Sequence, residues 1–245
     1  MSQHCLILGA KSDIARALAH VFAEAGFNLY LAGRNADSDL RPDAQDLAIR
    51  HSVQAQAIEF DALDYGRHAE MYAALTPKPA VVISVVGYMP DQEAAAQDGA
   101  MARRIMETNF VGCAHFLGIV AQDMETRKAG SIIGISSVAG DRGRAKNYLY
   151  GSAKAGFTAF LSGLRNRLHA AGVQVLTVKP GFVYTKMTEG MDLPAKLTAS
   201  PEKVASDVFK AWKKGKNVLY TKWIWRWIMF IIRNIPEWQF KKMKI

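Results

Sequence analysis

Cysteine is nearly absent from this chain. Its 245 residues include two, Cys5 in an apolar run and Cys113 in a helical stretch, with no spacing that suggests a disulfide framework or a zinc site. The six histidines form no H-x-x-x-H pair and no Cys/His cluster, so no metal site is expected. Residues 1–4 are too short for the charged start of a secretory leader. A long apolar run is missing as well: the tail segment 223–232 has ten residues with Arg226 inside it, whereas a spanning helix needs about 20. No repeat or low-complexity segment is visible. These absences point to a chain working in the reducing cytoplasm on a small molecule, without nucleic acid or metal.

Half of the residues are apolar, enough for the core of one α/β domain. Charge is unevenly spread. Residues 202–245 carry eleven Lys/Arg and three Asp/Glu, so +8 of the formal net charge of +9 lies there. All five tryptophans lie in this part too. The division expected is a body over residues 1–221 and a basic, aromatic extension over 222–245. On a helical wheel Lys222, Arg226 and Arg233 form one stripe and apolar residues cover the remainder. Such a helix suits an anionic membrane interface; the other reading is a helix buried over the active site or in a subunit contact.

Short apolar runs at 5–8, 28–32, 55–60, 80–86, 132–135, 173–178 and 217–220 alternate with helical periodicity. The pattern predicts a Rossmann-type, doubly wound, seven-stranded parallel sheet with ligands at the carboxyl ends of its strands. The first run leads through Gly9 into G-A-K-S-D-I-A. Here Ser12 or Asp13 is the expected N-cap, Ile14 opens the apolar face, and the helix start would favour a pyrophosphate. The second run ends in G-R-N, and an arginine at that position accommodates a ribose 2′-phosphate. Arg34, with Lys11 beside it, therefore indicates NADP(H), with NAD(H) as the alternative.

The richest stretch is 130–156, GSIIGISSVAGDRGRAKNYLYGSAKAG. An apolar strand ends in two serines, and Tyr150 and Lys154 follow four residues apart, so on a helix their Cβ atoms lie roughly 5–6 Å apart on one face. A nearby ammonium would lower the phenol from its usual value near ~10 and let it exchange protons near neutrality. Ser137 can hydrogen-bond the same substrate oxygen.

The strand, I-S-S, the gap of thirteen and Y-x-x-x-K together resemble the short-chain dehydrogenase/reductase family. The resemblance implies Tyr150 as general acid/base, Ser137 orienting a carbonyl, and Lys154 lowering the tyrosine and holding the nicotinamide ribose. It also implies Asn109 holding a water beside the lysine, Asp61 and Ala62 near the adenine, Gly87 after the fourth strand, and Pro180, Gly181, Val183 and Thr185 beside the nicotinamide. The chain departs from the family's T-G-x-x-x-G-x-G at Asp13 and Ala15, and has S-V-V-G where N-N-A-G is usual. The loop 186–200 is the expected lid.

F-D-A-L-D at 60–64, the arginine-bearing loop before Tyr150 and the I-P-x-x-x-F-K-K ending are similar to decaprenylphosphoryl-2-keto-ribose reductases. That narrower resemblance implies reduction of the 2-keto group of a polyprenyl-phosphate-linked pentose, a flavin oxidase partner, a homo-oligomer and a place on the inner face of the membrane. Arg142, Arg144 and Lys146 are spaced by two, so in an extended segment all three would face one side and clamp the phosphate. A reductase of other lipid, steroid or acyl carbonyls, and a non-catalytic nucleotide-binding scaffold, are the competing readings.

Overall fold

The computed structural model describes residues 3–243. Its seven strands are β1 (His4–Leu8), β2 (Asn28–Gly33), β3 (Ala55–Glu59), β4 (Val81–Ser84), β5 (Ser131–Ile135), β6 (Gln174–Pro180) and β7 (Val218–Thr221). They form one parallel sheet in the order β3-β2-β1-β4-β5-β6-β7. The alternation of apolar runs with helices dictates this doubly wound topology, because parallel neighbours need a crossover that packs on a sheet face. Winding proceeds from β1 outward to β3, then returns across β1 to β4. The carboxyl ends of β1 and β4 thereby open a crevice at the point where the order reverses.

Both faces of the sheet are covered. Cys5 and Ile7 of β1 face one core, built with helices Asp13–Glu24 and Pro201–Lys213, while Leu6 and Leu8 face the other, built with helices Gly112–Arg127 and Tyr148–Leu168. Continuous burial along β1, β2 and β4 explains why they read as unbroken apolar runs rather than alternating ones. The edge strands β3 and β7 are only partly buried.

The extension is part of this body. Helix Ile224–Asn234 lays Trp225 and Met229, 3% and 0% exposed, against Val138, Phe182, Leu197 and Tyr220. A Cβ on Gly181 would lie 2.0 Å from the Trp225 indole, so only glycine permits this contact. Trp225 Nε1 donates to the carbonyl of Leu197 at 3.0 Å. The opposite side of the helix shows Trp223, Trp227, Phe230 and Ile231 to solvent, at 74%, 58%, 61% and 63% exposure. One face of the helix thus packs on the body and the other is apolar and exposed.

Two expected side-chain placements are corrected here. Lys222 is not on the helix: it precedes it with φ 53, and its Nζ donates to the Lys196 carbonyl at 2.9 Å, which leaves Arg226 and Arg233 as the helical stripe. Arg142 does not face a substrate. Its Nη1 donates to the carbonyls of Ile232 and Ile235 at 2.5 and 2.6 Å, its Nη2 to Glu237 at 2.9 Å, and its guanidinium lies 3.6 Å from the centroid of Phe240. Carbonyls at a helix end lack partners of their own, and a fixed cation satisfies them. Among the described residues no helix is long and apolar enough to cross a membrane.

Candidate active site

β5 delivers Ser136 and Ser137 to the crevice. The Ser136 hydroxyl donates to the Lys154 carbonyl at 3.0 Å and lies 2.7 Å from Thr158 Oγ1, which fastens helix Tyr148–Leu168 to the strand end. Ser137 is extended; its Oγ accepts from the Ala139 amide at 3.1 Å, and its hydroxyl meets the Tyr150 phenol. Lys154 is 2% exposed, and its Nζ donates to the carbonyls of Val86 and Ile135 at 3.2 and 3.1 Å. The ammonium sits 5.7 Å from the centroid of the Tyr150 ring.

The electrostatics differ from those expected. Burial pushes Tyr150 up to about 12, with a hydrogen bond from Ser137 pulling weakly the other way. Burial also pulls Lys154 down to about 8. Tyr150 is therefore a neutral phenol at pH 7, since desolvation outweighs any help the lysine gives to the phenolate. That is the protonation state of a group ready to give a proton rather than to take one.

A cavity of about 990 Å³ runs from the Gly9 turn to Tyr150. At its first end Gly9 has φ 75, and a Cβ there would lie 2.9 Å from the Val86 amide. Ser12 caps the following helix by accepting from the Ala15 amide at 3.2 Å. Asp13 caps nothing; its carboxylate accepts from the Lys186 amide at 2.9 Å and ties the lid segment to the helix start. The charge that would oppose a phosphate is thus turned onto a backbone donor. Arg34 is exposed and unpaired among the described residues. The turn presenting it is held by Glu59, which accepts from the amides of Asn35 and Ala36 at 3.1 and 2.8 Å. Lys11 is ion-paired with Asp39, whereas Arg34 has no such partner among the described residues. Asp61 accepts from the Leu63 amide at 2.9 Å and lines the cavity together with Ala62 and Ile14.

Gly87, Pro180, Gly181, Val183 and Thr185 line the cavity, with Met187 against Gly87 and Trp225 against Gly181, and Met191 lines it too. These residues fit a dinucleotide: a glycine turn clear of side chains, helix amides at one end, an unpaired guanidinium beside them, and Lys154 at the other. Asn109 stands at the Tyr88 turn. Fully buried in a π-helical turn, it donates to the carbonyls of Tyr88 and Ile105 at 2.7 and 2.9 Å and accepts from the Tyr88 amide at 3.1 Å. Both N–H groups are committed, and the side chain fixes the Tyr88 turn. Of the three loop cations, Arg144 and Lys146 reach the cavity and Arg142 does not, because its guanidinium is held by the Ile232 and Ile235 carbonyls and by Glu237.

Sequence reasoning missed Ser136, Glu59 and Trp225. The doubled serine signalled the first. Glu59 and Trp225 act through partners 23 and 28 or more residues away, which no local pattern encodes.

The profile of the family described as short chain dehydrogenase matches residues 3–194. An uncharacterized oxidoreductase of Mycobacterium tuberculosis is 39% identical over 241 residues, covering 97% of this chain and 96% of its own. An uncharacterized oxidoreductase of Streptomyces coelicolor is 30% identical, covering 98% and 95%. In three dimensions the chain resembles a short-chain dehydrogenase from Sphingobium yanoikuyae solved with NADPH, at TM-score 0.83 and 20% identity, with 96% and 97% covered. The chain belongs to the short-chain dehydrogenase family and is an NAD(P)-dependent oxidoreductase of that type.

With Lys154 at about 8 and Tyr150 at about 12, the ammonium is lost on the alkaline side long before the phenol ionises. Turnover consuming reduced cofactor should be level below pH 8 and fall above it. A pH profile of kcat/KM that stays flat to pH 10 would show that the lysine charge is not used.

Proposed function

We propose that the chain reduces a ketone with NADPH. The observation that carries this is the neutral Tyr150 beside Ser137 on the cavity wall, above a buried Lys154. Bound reduced nicotinamide supplies the hydride. Tyr150 gives its proton to the carbonyl oxygen as that oxygen gains negative charge, and the Ser137 hydroxyl, turned from the phenol to the substrate, makes a second hydrogen bond to it. Replacement of Tyr150 by phenylalanine should leave cofactor binding intact and lower kcat by about 10²–10³, the usual cost of one preorganised donor. Near-full ketone reduction by this variant would remove Tyr150 from the mechanism.

The preference for NADPH over NADH rests on Arg34, unpaired at the end of β2 where a 2′-phosphate would lie. Arg34→Asp should reverse the ratio of the two dissociation constants in a fluorescence titration. Tighter NADH binding by the unmodified chain would overturn this reading.

For the substrate, the resemblance to decaprenylphosphoryl-2-keto-ribose reductases favours the 2-keto group of a pentose linked through phosphate to a polyprenyl lipid, formed by a separate flavin oxidase. Met187, Met191 and Trp225 in the cavity lining, together with Arg144 and Lys146, support an amphipathic molecule of this kind. The open face of the tail helix supports action at the cytoplasmic membrane surface. Trp223, Trp227 and Phe230 offer apolar area, with Arg226 and Arg233 beside them to meet anionic headgroups; a second copy docked on the same face by two-fold symmetry would oppose like charges. The full chain should sediment with phosphatidylglycerol vesicles at low salt and be partly released at high salt, and a Trp227→Ala/Phe230→Ala variant should bind less at both. No binding under either condition would exclude the membrane role.

A further inference from the structure

Three polar atoms left unpaired on one wall carry this inference. Around Tyr150, the buried Nε of Arg144, Oδ1 of Asn147 and Nε2 of Gln92 find no hydrogen-bond partner among the described residues, and all three residues line the cavity. A buried polar group without a partner costs about 1–3 kcal/mol, and more when charged, so three together require an account.

Each passes over the partner it would ordinarily take. Asn147 is the N-cap of helix Tyr148–Leu168, where asparagine is among the preferred residues, yet its side chain caps nothing. Gln92 does the capping from another segment: its Oε1 accepts from the Leu149 amide at 3.1 Å, which directs the amide nitrogen away from the helix. Arg144 makes no side-chain hydrogen bond. The carboxylate that acts on it, Asp141, is already held by Lys179 at 2.5 Å and by the Tyr220 hydroxyl at 2.7 Å. The neighbouring cations differ: Arg142 is bound to the tail, Lys146 is solvated, and Arg104 lies over the Tyr88 ring at 5.2 Å. Among the described residues Arg144 has neither a counter-ion nor a side-chain hydrogen bond, whereas Arg165, the other partly buried arginine without a carboxylate partner, is held by the Val175 and Asn217 carbonyls.

We infer that Arg144, Asn147 and Gln92 form the polar recognition site of the substrate, with Arg144 taking an oxyanion and Asn147 and Gln92 taking hydroxyl groups. The donor and acceptor types set the ligand. Arg144 offers a planar fork that matches a phosphoryl group or a carboxylate. Gln92 Nε2 needs an acceptor and Asn147 Oδ1 a donor, and a hydroxyl serves as either. The apolar remainder of the molecule lies along Met187, Met191 and Trp225. The substrate class is a hydroxylated ketone that carries an oxyanion and an apolar chain. The inference rests on the reductase reading for the reacting carbonyl; the recognition itself is measured without turnover.

The test is calorimetric titration of the full chain, saturated with NADP⁺ to fill the cofactor site, with decyl phosphate, decanoate and decanol below their aggregation limits. Decyl phosphate should bind at least about 10-fold more tightly than decanol, as expected for one charge-assisted hydrogen-bonded group. Decanoate binding as tightly as decyl phosphate would assign the site to oxyanions in general, and weaker binding would assign it to phosphate; both support the inference. Arg144→Gln should erase the preference and Arg144→Lys retain part of it, with NADP⁺ affinity and Tm unchanged as evidence of folding. Arg226→Gln, on the open face of the tail, should leave it intact, and Tyr150→Phe should keep it while turnover falls, which separates failure of recognition from failure of the reductase reading. Equal affinity for decyl phosphate and decanol, or a preference that survives Arg144→Gln or disappears in Arg226→Gln, would overturn the inference. Asn147→Leu and Gln92→Leu should each lose the advantage of decane-1,2-diol over decanol, and no change in either would remove the hydroxyl contacts.

Discussion

The buried ammonium of Lys154 is the constraint on which the site depends. A charge with 2% of its surface in water is costly to keep, and two carbonyls, of Val86 after β4 and Ile135 at the end of β5, are what hold it. Those carbonyls stand together only because β4 and β5 are parallel neighbours. The lysine therefore locks helix Tyr148–Leu168 across the ends of two strands, with Ser136 and Thr158 fastening the same helix one turn further on. One turn before the lysine, that helix carries Tyr150 to the cavity. Desolvation that pulls the lysine down to about 8 acts on the phenol in the opposite sense and keeps it protonated, so one dry environment prepares both groups.

Elements distant in sequence close the cavity around this point. Asp13 holds the start of the lid through the Lys186 amide, Lys222 holds its later part through the Lys196 carbonyl, and Trp225 packs on Gly181 while bonding to Leu197. Arg142 secures the far end of the tail helix two residues before Arg144 turns into the cavity. One short loop thus anchors the roof with one arginine and faces the substrate space with the next. The tail helix is accordingly amphipathic in an unusual sense: both broad faces are apolar, because one roofs a cavity and the other stands open.

What the residues determine alone is local or periodic. Seven apolar runs alternating with helices specify a parallel doubly wound sheet, because strands joined by helices have few other ways to bury both faces. Tyr150 and Lys154 lie on one helical face by spacing, and Gly9 and Arg34 follow strand ends that any such sheet directs to its crevice. Contacts across the fold were decided only by tertiary structure. Spacing by two puts Arg142 on the side of Arg144, but the unpaired carbonyls of a helix end some 90 residues later draw Arg142 away. The wheel put Lys222 in a stripe that a left-handed backbone at that residue breaks. The bonds by which Asn109 fixes the Tyr88 turn likewise exist only in the folded chain. The direction of the Tyr150 shift was misjudged for the same reason: a neighbouring charge is visible in a sequence, whereas the desolvation that outweighs it exists only once the chain has packed around the group.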